Sequence, residues 1–258
     1  MSYLDELIAT TRARVDAARS RITADVLEQR VATAEAPRGF ARALGGDDVG
    51  VIAEIKRASP VRGPLDLDLN AAELARQYAR GGAVAISVLT EPDRFRGSLE
   101  DLQAARAARL PVLRKDFILD EWQVLESRAV EADAVLLIVR ALDDAALTRL
   151  MAATRALGMD ALVEVHDEIE LDRAVSAGAG VIGVNHRDLD TFEVDDERTA
   201  KLAGRVPAGC VLVGLSGVST RAEVERLAAS GATAVLVGES LVTAADPVAK
   251  LLELRGAA

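Results

Sequence analysis

The 258-residue chain lacks several features that would place it in a protein class at once. Its single cysteine, Cys210, excludes an internal disulfide framework and favours a reducing compartment. The sequence has no run of about 18 apolar residues, and its first residues do not resemble a signal peptide. Basic blocks are also missing, and the net charge of −10 argues against nucleic acids and anionic membranes as partners. We therefore expect a cytoplasmic protein that binds neither.

Aromatic residues and lysines are also scarce. Aromatic residues make up 3% of the chain although 50% of its residues are hydrophobic, so the core must be aliphatic. Of the 31 basic residues, only four are lysines: Lys56, Lys115, Lys201 and Lys250. An ammonium can donate or accept a proton, whereas a guanidinium stays charged. A lysine at a special position therefore indicates chemistry more strongly than an arginine would.

Short apolar runs alternate with helical patterns from about residue 50 onward. The runs occupy residues 49–56, 83–90, 110–117, 132–139, 160–166, 180–187, 210–216 and 233–240. Strands that alternate with helices predict βαβ units and a parallel sheet. Eight such units favour a closed (β/α)8 TIM barrel of the α/β class over a doubly wound sheet, because the first turn, KRASPVRG, lacks the glycine-rich fingerprint.

The chain before the first predicted strand has a helical pattern. Residues 1–48 are therefore predicted to form a helical N-terminal extension that covers one end of the barrel. Residues 49–258 are predicted to form the barrel itself. We expect the two parts to make a single domain, because no low-complexity linker separates them.

Charged residues end several of the predicted strands. The carboxyl ends of the strands line the site in this fold, and alternate residues of a strand point inward. Buried lysines and glutamates are costly unless they are paired, and such pairs can serve as acids and bases. The candidate residues of this ring are Glu54, Lys56, Lys115, Glu164, Asn185 and Arg187.

Small residues follow the seventh and eighth strands, in LSGVST (215–220) and VGESLV (237–242). The loops after these two strands form the usual phosphate site of such barrels. We expect the backbone of Gly217 and Gly238 to donate to a phosphate, with the side chain of Glu239 turned away from it. The two histidines, His166 and His186, lack a third ligand at a suitable spacing, so we expect them at the rim and expect no metal site.

The strand ends also carry long motifs. These are AEIKRASPVRG (53–63), SVLTEPDRFRGSLEDL (87–102), PVLRKDFILDEWQ (111–123), LVEVH (162–166), IGVNHRDLDTF (182–192) and VLVGESLV (235–242). Through them the chain resembles the indole-3-glycerol-phosphate synthase family over essentially its whole length. The resemblance implies a carbon–carbon lyase (a carboxy-lyase) of tryptophan biosynthesis. Such an enzyme closes the indole ring of 1-(2-carboxyphenylamino)-1-deoxyribulose 5-phosphate with loss of CO2 and water, and needs no metal or organic cofactor.

The resemblance also implies roles for individual residues. Lys115 is similar to the general acid that protonates the ribulose carbonyl, and Lys56, held by Glu54, to the group that binds the substrate carboxylate. Glu164 is similar to the acid and base of the dehydration, with Asn185 in the catalytic set. Substrate-binding positions are implied for Ser59, Phe95, Phe117, Leu136, Arg187, Leu189, Leu215 and Ser216. Phosphate-binding positions are implied for Ser59, Gly217, Gly238 and Glu239.

One position departs from the family. The family pattern after the seventh strand is Glu-Ser-Gly, and its glutamate belongs to the catalytic set, whereas this chain has Leu215, Ser216 and Gly217. Leucine can neither accept a proton nor orient a lysine. The enzyme is therefore either active but impaired, or a phosphosugar-binding barrel with weakened or lost catalysis. Phosphoribosylanthranilate isomerase ranks lower, because Glu54 and Lys56 occupy the place of its general base. We expect a monomer or a weak oligomer.

Overall fold

The strands close into a barrel in the computed structural model, which describes residues 2–46 and 48–257. Met1, Asp47 and Ala258, which belong to the predicted ranges, lie outside the described residues. The barrel strands are β1 (Gly50–Ile55), β2 (Ala85–Leu89), β3 (Val112–Lys115), β4 (Ala134–Ile138), β5 (Asp160–Val165), β6 (Val181–Asn185), β7 (Val211–Leu215) and β8 (Ala234–Val237). Each pairs in parallel with its neighbours in the chain, and β8 pairs with β1. The predicted (β/α)8 TIM barrel is confirmed.

Helices precede the barrel and follow each strand. The extension contains α1 (Tyr3–Arg19), α2 (Ala24–Thr33) and α3 (Phe40–Ala43). The barrel helices are α4 (Ala71–Arg80), α5 (Leu99–Ala105), α6 (Glu121–Ala129), α7 (Asp144–Ala156), α8 (Glu168–Ser176), α9 (Arg198–Ala203), α10 (Arg221–Ala229), α11 (Glu239–Val242) and α12 (Pro247–Arg255). Short 3-10 turns cover Arg106–Ala108 and Val139–Ala141. A small antiparallel hairpin after β1 pairs Ala58–Ser59 with Gly63–Pro64.

Local sequence explains where the helices begin. Side chains of Asn70, Ser98, Asp143 and Thr220 each accept a hydrogen bond from the backbone of the helix that follows them. Such caps satisfy donors that have no partner inside the helix, and each contributes about 1 kcal/mol. The caps therefore fix the point at which each of these βα loops ends.

The barrel interior is built in layers. Leu136 on β4 lies beside Leu162 on β5, and the next inward layer places Ile138 beside Glu164. The lower layer belongs to an apolar cluster that also contains Ile52 and Leu113. The charged residues therefore stand on a floor of aliphatic side chains, which excludes water beneath them and strengthens their mutual interactions.

The N-terminal extension contacts both ends of the barrel. At the carboxyl end, the backbone of Leu4 donates to Asp190 over 3.2 Å, and Arg14 Nη2 lies 2.8 Å from Asp116 Oδ1. At the amino end, the backbone of Ala41 donates to Asp160, the first residue of β5, over 2.8 Å. The extension therefore reaches both ends of the barrel, whereas the sequence suggested a cover at one end, because α1 and α3 are separated by enough chain to reach opposite ends.

No helix in residues 2–46 or 48–257 is long and apolar enough to cross a membrane.

Candidate functional site

Glu54 and Lys56 form an ion pair at the carboxyl end of β1. Lys56 Nζ lies 3.2 Å from Glu54 Oε1, and both side chains are largely buried. The hydroxyl of Ser87, on neighbouring β2, lies 3.5 Å from Glu54 Oε2. The hydroxyl of Tyr78 donates to the Glu54 carbonyl over 3.3 Å. The carboxylate is therefore held in place, and it orients the ammonium at the mouth of the barrel.

A second polar chain crosses β3, β5, β6 and the loop after β7. Lys115 Nζ lies 3.8 Å from Glu164 Oε2. Asn185 Nδ2 donates to Glu164 Oε1 over 2.9 Å, and Ser216 Oγ donates to Asn185 Oδ1 over 2.8 Å. Glu164 is 1% exposed, and its Oε2 has no hydrogen-bond partner. An unpaired oxygen of this kind, close to a lysine, is suited to exchange a proton with a ligand.

The loop after β3 is anchored next to Lys115. Asp116 accepts hydrogen bonds from Arg14 Nη2 (2.8 Å), Arg114 Nη2 (3.1 Å), Thr90 Oγ1 (2.8 Å) and the backbone of Phe117 (2.9 Å). Burial raises the pKa of Asp116, but Arg114 and Arg14 outweigh burial and hold that pKa below its ordinary value. A charged, fully bonded Asp116 therefore fixes the backbone that carries Lys115. Sequence reasoning missed this anchor.

Leu215 points into the barrel beside the polar chain. It lies next to Asn185 in the sheet register, is 2% exposed, and belongs to the apolar cluster of the barrel interior. A Cβ added to Gly183 would lie 2.8 Å from Leu215 Cδ1 and 3.1 Å from Leu162 Cδ1. Leu215 therefore occupies the space that the glycine of β6 leaves free, and gives the ring an apolar sector.

The loops after β7 and β8 lie where a phosphate site was predicted. Ser216 and Gly217 both have positive φ, at 67° and 75°. A Cβ on Gly238 would lie 2.5 Å from Glu54 Oε1, so only glycine fits there without displacing the carboxylate. Glu239 Oε1 is paired with Arg62 Nε at 3.0 Å. Arg62 therefore brings a cation to this region, which sequence reasoning did not anticipate.

Ser59 and Arg187 are both engaged with their own loops. Ser59 lies in the hairpin after β1, where its hydroxyl accepts a hydrogen bond from the backbone of Arg62 over 3.0 Å. Arg187 donates through Nη1 to the Phe192 carbonyl over 3.0 Å, and through its backbone to Asn185 Oδ1 over 3.1 Å. The Arg187 guanidinium therefore stabilises the loop after β6.

The residues of the predicted apolar wall lie in two layers of the barrel interior. Phe95, Phe117 and Leu189 pack against the inner cluster near the carboxyl ends, together with Leu4 and Leu7 of α1. Leu136 lies one layer lower and is 1% exposed. Ile138 stands in the same layer as Glu164, a position that the strand alternation could have revealed.

The histidines are not at the rim. His166 and His186 are 4% and 2% exposed, so the prediction of rim residues was wrong. His166 Nδ1 lies 3.0 Å from Glu170 Oε2, and His186 Nε2 lies 2.7 Å from Thr199 Oγ1. Each ring thus contacts a residue of the helix that follows its strand, Glu170 of α8 or Thr199 of α9. Burial lowers the pKa of His186.

The sequence of this chain matches known proteins over nearly its whole length. The family model described as indole-3-glycerol phosphate synthase matches residues 4–254. The "Indole-3-glycerol phosphate synthase 2" of Streptomyces coelicolor is 53% identical over 242 residues, covering 93% of this chain and 94% of that protein. The indole-3-glycerol phosphate synthase of Mycolicibacterium vanbaalenii is 50% identical over 254 residues, covering 98% and 93%.

Solved structures support the fold. A 3-hexulose-6-phosphate synthase matches with a TM-score of 0.63 at 19% identity, covering 81% of this chain and 99% of that one. A thiamine phosphate pyrophosphorylase from Pyrococcus furiosus matches with a TM-score of 0.61 at 19% identity, covering 81% and 94%. At such identities the likeness concerns the barrel alone.

Proposed function

Because the chain belongs to the indole-3-glycerol phosphate synthase family, we propose that the charged ring at its strand ends carries out the indole-forming reaction. Family membership confirms the sequence-based prediction of a carboxy-lyase of tryptophan biosynthesis. The substrate is a phosphorylated small molecule, 1-(2-carboxyphenylamino)-1-deoxyribulose 5-phosphate. The assignment of residues to steps is our proposal, and it rests chiefly on the two lysine–glutamate pairs that meet at one end of the barrel.

The first step joins the aromatic ring to the ribulose carbonyl carbon. The ring carbon that bears the carboxylate attacks, and the carbonyl oxygen gains negative charge. Lys115 donates a proton to that oxygen, because its ammonium stands at the strand end, 3.8 Å from Glu164 Oε2. Lys56, oriented by Glu54 at 3.2 Å, binds the substrate carboxylate before it leaves as CO2.

The second step removes water and forms the double bond that makes the five-membered ring aromatic. After CO2 departs, its bonding pair returns to the benzene ring, and a hydroxyl remains on the former carbonyl carbon. Glu164 protonates this hydroxyl as the C–O bond breaks, and a proton leaves the adjacent carbon. Asn185 holds Glu164 Oε1 at 2.9 Å, which leaves Oε2 free to face the substrate.

The remaining positions bind the two ends of the substrate. The backbone of Gly217 and Gly238 and the hydroxyl of Ser59 bind the phosphate, and Arg62 supplies a nearby cation. Glu239 contributes its backbone, since its carboxylate is paired with Arg62. The anthranilate ring contacts Phe95, Phe117, Leu189 and the apolar floor of Leu136. Arg187 and Ser216 position the substrate through Asn185.

The experiment is turnover of the carboxyphenylamino substrate, followed by indole fluorescence. We expect product from the wild type at a rate limited by Leu215. The variant Leu215→Glu restores a carboxylate beside Asn185 and should raise kcat by about 10-fold or more. Leu215→Gln introduces a side chain of the same shape as glutamate but without its charge, and it should not raise kcat. A wild type without product above background would contradict the proposed function.

A second candidate function follows from the apolar burial of Leu215. If the missing carboxylate is indispensable, the chain is a phosphosugar-binding barrel without turnover. Calorimetry with a reduced, non-cyclising analogue of the substrate would then show binding by the wild type. Indole would form only with Leu215→Glu. Equal rates for wild type, Leu215→Glu and Leu215→Gln would show that this position does not limit the reaction.

We also propose a cellular location and an assembly state for the protein. The single, half-buried Cys210 and the absence of basic blocks in the sequence are consistent with a cytoplasmic enzyme. We expect a monomer or a weak oligomer, which sedimentation at several concentrations would measure. A tight dimer or larger assembly would contradict this expectation.

A further inference from the structure

His166 lies directly behind Glu164. It follows β5, so its ring is on the same inward face as Glu164, two residues earlier. His166 Nε2 is 3.7 Å from Glu164 Oε1, and both side chains are 1% exposed. Nε2 has no hydrogen-bond partner, and neither has Glu164 Oε2. Glu164 Oε1 also accepts from Asn185 Nδ2, so on this side of the carboxylate His166 Nε2 is the buried atom left without a partner among the described residues.

Glu170 determines which ring nitrogen of His166 faces Glu164. Its Oε2 lies 3.0 Å from His166 Nδ1 and accepts from the His166 backbone at 2.8 Å. Its Oε1 accepts from Arg140 Nε at 2.8 Å. Burial raises the pKa of Glu170, but His166 and Arg140 outweigh burial and hold that pKa below its usual value. A charged carboxylate only accepts, so Nδ1 carries a hydrogen and Nε2 presents its lone pair to Glu164.

A neutral His166 and an ionised Glu164 would place two acceptors 3.7 Å apart in a buried site. Oε1 accepts from Asn185, but Nε2 would lack a donor, and a buried acceptor without one is costly. A proton between Nε2 and Oε1 removes this cost. Contacts of this length often shorten when a substrate closes the site. The geometry therefore favours a pair that holds one proton jointly.

We propose that His166 is a positioning residue that shares one proton with Glu164 and supplies it during dehydration. This inference rests on the proposed function. With a leucine at position 215, His166 is the group next to Glu164 that can take the place of a second carboxylate as a proton carrier.

The number of protons on the Glu164–His166 pair is the same before and after the dehydration. Glu164 gives its proton to the leaving hydroxyl as the C–O bond breaks, and water departs. The proton that the adjacent substrate carbon releases is taken up by the Glu164–His166 pair as the new double bond forms. The substrate therefore loses one hydroxyl and one hydrogen, and the pair returns to its starting state with one proton.

Other charges around the pair come from several elements. Lys115 on β3 lies 3.8 Å from Glu164, and Arg140, after β4, is bonded to Glu170. Asp188, after β6, lies 3.1 Å from Arg140. Arg140 is thus paired with two carboxylates, so it only partly offsets the negative charge of Glu170 beside His166 Nδ1.

The first test requires no turnover. The chain contains two histidines, so ring nitrogens labelled with 15N give a simple spectrum in which His166→Asn assigns the signals. In the wild type at neutral pH, we expect Nδ1 of the His166 ring to carry a hydrogen. In Glu164→Gln, which cannot share a proton with His166, the Nε2 signal should move toward that of a nitrogen with a free lone pair. His186, bonded to Thr199, is the internal reference and should not move. A neutral form protonated on Nε2, or an Nε2 signal that is the same in wild type and Glu164→Gln, would overturn the proposal.

The second test separates proton sharing from a structural role. His166→Asn can still donate to Glu170 from the position of Nδ1 but places no group near Glu164. We expect kcat to fall by about 10-fold or more with KM little changed, and the basic limb of kcat against pH to move to lower pH. Glu170→Gln should shift the same limb in the same direction. Wild-type kcat and pH profile in His166→Asn would refute proton sharing. A wild type without any product would refute the proposed function alone, because the NMR result would still decide the sharing.

Discussion

Gly238 is the position where the smallest change should have the largest effect on the site. An added Cβ would lie 2.5 Å from Glu54 Oε1, 3.2 Å from Cδ and 3.3 Å from Cβ. Ordinary contact begins at 3.4 Å, so in Gly238→Ala the carboxylate oxygen must retreat by about 0.9 Å. Rotation of the carboxylate alone cannot provide this space, because the Glu54 Cβ, fixed to the strand, is also too close.

The displacement should reach Lys56. Glu54 Oε1 is the atom that holds Lys56 Nζ at 3.2 Å, so its retreat breaks or turns the ion pair. A misplacement of about 1 Å in a reacting group lowers rates by about 100-fold. Overpacking of a buried site costs about 1–3 kcal/mol of folding free energy. Gly238→Ala should therefore lose about 100-fold in kcat and remain folded.

The assay pairs kcat for indole formation with urea unfolding. Gly204→Ala is the matched control, because Gly204 has φ of −65° and open space around its missing Cβ. The control should keep wild-type kcat and stability within about 1 kcal/mol. If Gly238→Ala retained kcat within about twofold of the wild type, the link from Glu54 to Lys56 and catalysis would be wrong.

Three further predictions concern stability and are read from urea or thermal unfolding. Asp116→Asn should cost about 3–5 kcal/mol, because it leaves buried Arg114 with one carboxylate fewer; a loss under about 1 kcal/mol would contradict the anchor. Phe40→Ala empties a fully buried position in α3 and should lower the free energy of unfolding by about 3–5 kcal/mol. The kcat of the folded enzyme should stay unchanged. A large loss of kcat would contradict the position of Phe40 at the amino end of the barrel. The pKa of His186 is lowered from 6.5, so unfolding takes up a proton and the free energy of unfolding should fall as pH drops below 6.5. His186→Asn should remove this slope. A further loss of stability should begin below pH 4.5, because the folded protein holds the pKa of Glu170 below its ordinary value.

The strand ends were predictable because their signal is local. Two-residue alternation in VIAEIK places Glu54 and Lys56 on the inward face with Ile52, and the same alternation brings Leu113 and Lys115 together. A closed parallel barrel then gathers such ends at one place. Alternation in LVEVH would also have placed His166 inward, had it been applied beyond the end of the strand.

The supporting contacts were not predictable because they join distant parts of the chain. Arg14 meets Asp116 across 102 positions, and no local pattern links them. The fit between Gly183 and Leu215 likewise depends on the register between neighbouring strands. Burial of the histidines accompanies contacts with Glu170 of α8 and Thr199 of α9, which spacing alone does not determine.

The two-ended attachment of the N-terminal extension has a consequence for the order of folding. Leu4 is bonded to a residue 186 positions later, and Ala41 to one 119 positions later. During synthesis these partners emerge long after α1 and α3, and contacts of such separation form slowly. The apolar stripe of α1 must therefore wait for most of the barrel, so a segment made before the barrel is among the last to reach its place.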